Sequence, residues 1–291
     1  MVKVIVTGAG GKMGGRIISL ISAMEDIRVV GAIEVAGHPI IGRNVGHSLG
    51  WGTSSVTVSD QLAACIDQAD VVIDFTNHDA SMRYLEIASE KNRSIVIGST
   101  GFTPGEMKIV KQLAEKTRCV LSPNMSVGVN VMLKALEYCA GIFGDDYDVE
   151  IYEAHHHSKK DAPSGTAMQM AQVIADKLGR NLEKEAVYTR KGIIGERTRT
   201  EIGIQTLRAG DIAGEHTVMF GGIGERLEVT HRAYSRDNFA KGAIRAAQWI
   251  VHQENGLYDM QDVLGLREIK KAECIHVEWR DQLYRNRLES G

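Results

Sequence analysis

The stretch that most narrows the possible folds runs from Val2 to Met24. A β-branched run, VKVIVT, meets the glycine-rich turn GAGGKMG, and GRIISLISAME follows with Ile17, Ile18, Ile21 and Met24 on one helical face. A strand that turns through glycines straight into a helix is the opening of a βαβ unit. Gly8 permits the sharp turn, Gly11 lets the backbone approach a pyrophosphate, and Gly14 lets the helix pack on the strand. The helix N-terminus then favours the phosphate charge. Glu34 follows Gly14 by twenty residues, at the end of the next strand-like run IRVVGAIE, where a carboxylate can accept from ribose hydroxyls. The same carboxylate repels a 2′-phosphate, and Val35 offers no cation to offset it; Lys12 and Arg43 are the nearest candidates. We therefore expect NADH or NADPH as cofactor, with NADH preferred.

ADVVIDFT, RSIVIGST and RCVLSP read as further strands separated by helical patterns, which implies a parallel sheet wound on both sides. After Asn124 the pattern changes. A helix, SVGVNVMLKALEYCAGIF, leads to the strand YDVEIYEAHH, and between Glu201 and Tyr234 three strand-like runs follow without a helix between them. These runs (EIGIQTLRA, EHTVMFGG, RLEVTHRAY) predict an antiparallel sheet with one covered face. SRDNFAKGAIRAAQWIVHQ then returns to helix, with Ser235 as a cap. The fold class expected is α/β: a Rossmann-like doubly wound parallel sheet plus an α+β domain with a mainly antiparallel sheet. The dinucleotide-binding domain is expected over 1–126 and completed by 236–291, and a substrate-binding and oligomerisation domain over 127–235. The segment from about Arg267 is charged and mildly periodic, with no role assigned.

Composition excludes several classes. With 34 Lys+Arg against 37 Asp+Glu and 5% aromatic residues, the chain lacks the basic surface and stacking platforms of a general nucleic-acid binder. Cys65, Cys119, Cys139 and Cys274 stand far apart without a CxxC pair, which suits a reducing compartment; Cys119 and Cys139 sit in apolar segments that read as core. The N-terminus reads as strand and turn instead of a signal peptide, and no apolar run reaches membrane-spanning length by this reading. A soluble cytoplasmic protein without a membrane partner is expected. His231, His252 and Trp249 read as ordinary structural residues.

The stretch EAHHHSKKDAPSGTA, 153–167, concentrates the remaining chemistry. On an extended strand His155 and His157 share a face and His156 does not, and no cysteine or spaced carboxylate completes a metal shell, so no metal is expected. Ser164, Gly165 and Thr166 begin the helix TAMQMAQVIADKLG, placing backbone N–H groups beside two lysines, a cradle for carboxylate or phosphate. A histidine there can deliver a proton near neutral pH. A hydride donor on one side and an acid with an anion cradle on the other describe a reductase of a small anionic substrate.

On these residues the chain resembles the 4-hydroxy-tetrahydrodipicolinate reductase (dihydrodipicolinate reductase) family of lysine and diaminopimelate biosynthesis. GAGGKMG, DFT (Asp74–Thr76), GSTGF (Gly98–Phe102), SPNMSVGVN (Ser122–Asn130), EAHHHSKKDAPSGTA and THRAYSRDNFAKGA (Thr230–Ala243) occur in family order, to about Leu266. The resemblance implies that His155 is the proton donor and Lys159 its charged partner. It implies that His156, Lys159, Gly165 and Thr166 hold the carboxylates of a small dicarboxylate substrate, with Arg236 near the same end. Gly8, Gly11, Lys12, Met13, Gly14, Glu34, Phe75 and Gly98 would contact the cofactor. Thr100 would lie near the reacting ring, and Asn124, Met125 and Val127 beside the carboxamide. It also implies a homotetramer built through the second-domain sheet. Val35 departs from the arginine common in members that use NADPH well, and the C-terminal segment is longer than the family pattern. Rival readings from the residues alone are another two-domain nicotinamide dehydrogenase, such as a diaminopimelate or homoserine dehydrogenase, or a non-catalytic NAD sensor.

Overall fold

The computed structural model describes residues 1–50, 52 and 54–267. The first part of the chain lays down β1 (Val2–Thr7), α1 (Lys12–Ile21), β2 (Ile27–Ile33), α2 (Val45–Ser48), β3 (Val58–Ser59), α3 (Leu62–Cys65), β4 (Val71–Asp74), α4 (His78–Glu90), β5 (Ser94–Ile97), α5 (Pro104–Ala114) and β6 (Arg118–Leu121). The second part adds α6 (Val127–Phe143), β7 (Asp148–His155), α7 (Gly165–Leu178), α8 (Leu182–Glu185), β8 (Ala186–Val187), β9 (Ile202–Arg208), β10 (Gly214–Gly221) and β11 (Arg226–Ala233). The chain then returns through α9 (Asp237–Ile250), β12 (Gly256–Tyr258) and α10 (Met260–Val263).

The first sheet is parallel throughout, in the order β12-β6-β5-β4-β1-β2-β3. Its strands are buried on both faces, which is why they read as continuous apolar runs without alternation. One face packs Val4, Val6, Ile73 and Val96 against Ile17, Ile18 and Ile21 of α1 and Ala243, Ala247 and Ile250 of α9. The other packs Ile5, Val72, Ile95 and Ile97 against Leu62, Leu85, Ala88 and Val110. The returning helix α9 therefore belongs to the first core, and β12 extends that sheet by pairing with β6. Ser235 stands one position before the cap: Arg236 is the N-cap, while the Ser235 hydroxyl accepts from the Asp237 N–H at 3.2 Å.

The second sheet runs β11-β10-β7-β9-β8. It is mixed, and one expected neighbour relation changes. The pairs β11/β10 and β10/β7 are antiparallel, but β9 lies on the far side of β7 and parallel to it, as β8 does to β9. The reason is the helix between β7 and β9: α7 serves as a crossover, and a crossover connection returns a strand in the same direction. The run of strands after Glu201 concealed this because the crossover precedes it.

A second correction concerns α6. With the turn after it, Val127–Asp146 makes 20 residues of mean hydropathy 1.2, enough by length and composition to cross a membrane. Lys134 and Glu137 interrupt this segment, so it does not stand out as one apolar run. In the fold Val129, Met132, Leu133, Leu136 and Ala140 pack into the second core with Ile151, Met170, Ile174 and Phe220. Cys119 is fully buried in β6, where burial pushes its thiol up to about 12, and Cys139 packs beside the second core; Cys274 lies outside the described residues. Trp249 packs edge-on against Tyr258 at 5.2 Å between ring centres, on the first core.

Candidate active site

Seven of the predicted cofactor residues lie just past the carboxyl ends of the parallel strands, and Gly11, Lys12, Met13, Gly14 and Val127 lie at the helix starts that follow. Gly8 follows β1, Glu34 follows β2, Phe75 follows β4, Gly98 and Thr100 follow β5, and Asn124 and Met125 follow β6. β1 and β4 are neighbours although β2 and β3 lie on the other side of β1, so the strand order reverses there; ligands of open α/β sheets bind at such a point. Gly8 has φ +63°, a conformation that glycine adopts without strain, and its carbonyl accepts from the Gly11 N–H at 2.9 Å. A Cβ on Gly14 would stand 2.1 Å from the Gly8 carbonyl oxygen, so α1 approaches the turn closer than any other residue permits. The N-cap of α1 is Gly11, which brings no side-chain acceptor, and the first-turn N–H groups have no partner within the helix. Lys12 and Met13 open this first turn.

Glu34 is buried and its two oxygens accept from the Gly10 and Val35 N–H groups, each at 2.9 Å. That fixes the carboxylate at the rim of the glycine turn and leaves each oxygen a further lone pair. The backbone-lined cradle, the bare helix start and the anchored carboxylate fit a dinucleotide. The Phe75 ring packs on Gly98, where a Cβ would meet it at 2.3 Å. Behind it, buried Asp74 accepts from the hydroxyls of Thr7 and Thr76 at 2.6 Å each, and also from Ser81 and Ser99. The sequence reading missed this network; a carboxylate inside an apolar strand, preceded by VVI and followed by FT, was its signal.

The histidine stretch takes shape through strand alternation. Inward-facing positions of β7 read Val149, Ile151, Glu153, His155; those of β9 read Ile202, Ile204, Thr206, Arg208; those of β10, in reverse, read Phe220, Val218, His216, Gly214. The ladders align these rows residue by residue, Glu153 opposite both Thr206 and His216, and His155 opposite Arg208. Each row is apolar at one end and polar at the other. The covered face of one sheet thus supplies a core and, past its edge, a site.

Glu153 is the centre of the polar end and is fully buried. One oxygen takes His155 Nδ1 at 2.6 Å and Arg208 at 2.8 Å; the other takes Arg208 at 2.9 Å, the Ser164 N–H at 3.0 Å and the Thr206 hydroxyl at 3.2 Å. Burial pushes this carboxyl up, but the bonds from His155, Arg208 and Ser164 outweigh it and bring it down to about 2. Ser164 caps α7, accepting from the Ala167 N–H at 3.1 Å, and meets His216 Nε2 at 2.9 Å. Burial, reinforced by the neighbouring His155, lowers His216 to about 4 and keeps it neutral. The rings of His155 and His216 meet edge to face at 5.2 Å.

Lys159 Nζ contacts both oxygens of Asp161 at 2.8 and 2.7 Å, while the group bonded to His155 is Glu153. Lys159 is nonetheless near enough to lower both His216 and His156. His156 bonds Ser158, and partial burial followed by the charge of Arg236 lowers its pKa, which puts Arg236 at the same end of the site. His157 turns away to the Gly210 carbonyl at 2.9 Å. Gly165 faces open space, and Asn124 Nδ2 donates to Thr166 Oγ1 at 3.0 Å. This last bond ties the strand end after β6 directly to the start of α7. Val127 begins α6 a turn later, behind the buried Met125, whose carbonyl lies against Gly242 of α9. Among the described residues, the His–carboxylate group with ligand atoms within 4.8 Å is His78, Asp79 and Glu106, outside this stretch; Glu106 there completes the capping box of α5.

With this geometry in place, comparison with known proteins is specific. Residues 2–125 match the family model described as dihydrodipicolinate reductase, N-terminus, and residues 128–264 match that described as dihydrodipicolinate reductase, C-terminus. The 4-hydroxy-tetrahydrodipicolinate reductase of Syntrophus aciditrophicus is 60% identical over 267 residues, 92% of this chain and 100% of the relative. That of Geotalea uraniireducens is 57% identical over the same shares. The dipicolinate-bound dihydrodipicolinate reductase from Paenisporosarcina sp. TG-14 superposes with a TM-score of 0.72 at 27% identity, covering 90% of this chain and 98% of that one. The two-part match, its near-complete coverage and the ordered site residues lead to one conclusion: the chain belongs to the dihydrodipicolinate reductase family.

Proposed function

We propose that the chain reduces 4-hydroxy-tetrahydrodipicolinate to tetrahydrodipicolinate with NAD(P)H, in lysine and diaminopimelate biosynthesis, with His155 as the proton donor. The observation that carries this reading is the junction of two half-sites: the Asn124–Thr166 bond joins the nucleotide-binding strand ends to a helix start flanked by His155, His156 and Lys159. When bound, NAD(P)H supplies the hydride. The loop Gly8–Gly14 and the start of α1 hold its phosphates, Glu34 its adenosine ribose, and the segments around Phe75, Gly98–Thr100 and Asn124–Val127 its nicotinamide end.

The dianionic substrate lies at the start of α7. Gly165 and Thr166 N–H groups, His156, Lys159 and Arg236 hold its carboxylates, and the substrate competes with Asp161 for Lys159. Loss of water from the hydroxylated ring leaves a conjugated imine. After hydride addition, His155 gives the proton from Nε2 to the resulting enamine, and its Nδ1 stays bonded to Glu153. Lys159 keeps the charge of this pocket suited to a dianion. Water, hydride and proton account for the whole conversion.

Glu34 followed by an exposed Val35 favours NADH over NADPH. The two functional domains are 1–126, completed by the chain from 236, and 127–235. The outer face of the second sheet exposes Tyr152 and Leu207, and we assign it to a homotetramer interface. The enzyme works in the cytoplasm on a small dicarboxylate, without nucleic acid or membrane as partner. The test is oxidation of NADH and NADPH in the presence of the condensation product of pyruvate and aspartate semialdehyde. Substrate-dependent oxidation, faster with NADH, is expected. No oxidation with either cofactor would overturn the activity, and faster oxidation with NADPH would overturn the preference.

A further inference from the structure

We infer that Glu153, clamped by Arg208, is the positioning residue that fixes the tautomer and orientation of His155. This rests on the reading of His155 as proton donor and extends it to the groups behind the ring.

Glu153 touches no solvent and accepts from five donors. Arg208 grips both of its oxygens and also donates to the Asp161 carbonyl at 2.7 Å, which anchors the clamp to the loop that carries Lys159. A carboxylate so surrounded is an acceptor only, so the ring nitrogen 2.6 Å away has to donate. The proton of neutral His155 therefore sits on Nδ1, and Nε2 is left to carry the proton that moves. Gly214, with φ +157°, makes room for that nitrogen: a Cβ there would stand 3.1 Å from it. When His155 is cationic, the same carboxylate stabilises the imidazolium, the form that gives a proton away and remains neutral.

The isosteric change Glu153→Gln tests this by donor counting. The oxygen that faces Ser164, Thr206 and Arg208 meets three donors, and the one that faces His155 and Arg208 meets two. The amide oxygen goes to the side with three donors, so the NH2 group faces His155. Its Nδ1 must then accept, and the ring proton moves to Nε2. Besides Glu153 and Arg208, His216 on β10 meets the ring edge to face, His156 and Lys159 follow on the loop, and Arg236 before α9 acts on His156. Glu153→Gln leaves all of these in place.

The experiment is 15N NMR of the apoenzyme labelled at histidine, with His155 identified by its loss in His155→Gln, alongside steady-state kinetics over pH. Wild-type neutral His155 is expected as the Nδ1–H tautomer, and Glu153→Gln as the Nε2–H tautomer. In Glu153→Gln, kcat should fall by about 10²-fold or more while KM changes by less than about threefold. Glu153→Asp, which keeps the charge, should recover part of the loss. A wild-type His155 carrying its neutral proton on Nε2 overturns the inference without any variant, so misfolding of Glu153→Gln does not protect it. An unchanged tautomer, or turnover within twofold of wild type, in Glu153→Gln overturns it as well. If instead His155→Gln retains full turnover, the proton-donor reading fails, while the tautomer result still decides what Glu153 does to the ring.

Discussion

Two helix starts face the site, and they are built in opposite ways. α1 begins at Gly11, with no side-chain cap and with glycines that bring backbone close to backbone. α7 begins at Ser164, whose hydroxyl caps the helix and whose N–H is held by a buried, Arg208-clamped carboxylate. The first leaves its orphan N–H groups to a ligand and depends on steric room. The second spends side chains on fixing its own position and leaves the Gly165 and Thr166 N–H groups for an anion. Under the proposed function, the first is a cradle for a diphosphate, which needs close approach, and the second is a cradle beside the proposed proton donor, which needs orientation.

Breaking the oriented side should have the largest effect. His155→Gln should lower kcat by about 10²- to 10⁴-fold, the range for general acid–base groups, and leave the NADH dissociation constant within about twofold. Steady-state rates and fluorescence titration with NADH measure both; a joint loss would mean that the two half-sites are not separable. Breaking the steric side comes next. Gly14→Ala forces α1 off the Gly8 carbonyl and should destabilise by the upper part of about 1–3 kcal/mol, with NADH affinity falling more than substrate affinity. Urea unfolding and the same titration check it. Ser164→Ala removes a cap and should cost about 1 kcal/mol, read in the urea midpoint, and should raise the substrate KM without changing NADH affinity. Val35→Arg adds a cation beside Glu34 and should move the NADPH-to-NADH ratio of kcat/KM toward NADPH by several-fold, a surface charge effect of under about 1 kcal/mol.

Acid adds the gentlest test. Glu153 is held at about 2, below its usual 4.5. A depressed carboxyl contributes its stabilisation fully above about pH 4.5 and loses it as the pH falls toward 2. Urea stability of the wild type should therefore fall across that window more steeply than that of Glu153→Gln. Equal slopes would mean that the clamp does not hold its charge.

The glycine turn was legible because both its causes are local: φ at Gly8 and contact between Gly8 and Gly14, six residues apart. Glu34 was legible for a similar reason, since strand length and turn length fix its distance from the turn. Glu153 was in view and was passed over, because beside three histidines it reads as one more polar residue. The clue was period two: Val149, Ile151 and then Glu153 is an inward row ending in a carboxylate. Arg208 and His216 had no such clue in their own neighbourhood. They join Glu153 only through the ladders of β9 and β10 onto β7, and β9 lies on the side of β7 that the run of strands did not suggest.

The sequence by itself determined the alternation that makes the parallel sheet, the cradle at the start of α1 and the residues that assign the family. Each of these depends on spacing along the chain. Only the tertiary structure decided which groups stand behind His155, that Lys159 pairs with Asp161, and that Asn124 reaches Thr166. Lys159 and Asp161 are only two positions apart, but Arg208 reaches Glu153 across 55 positions and Asn124 reaches Thr166 across 42, and pairing at such separations is set by strand order and helix docking instead of any local preference.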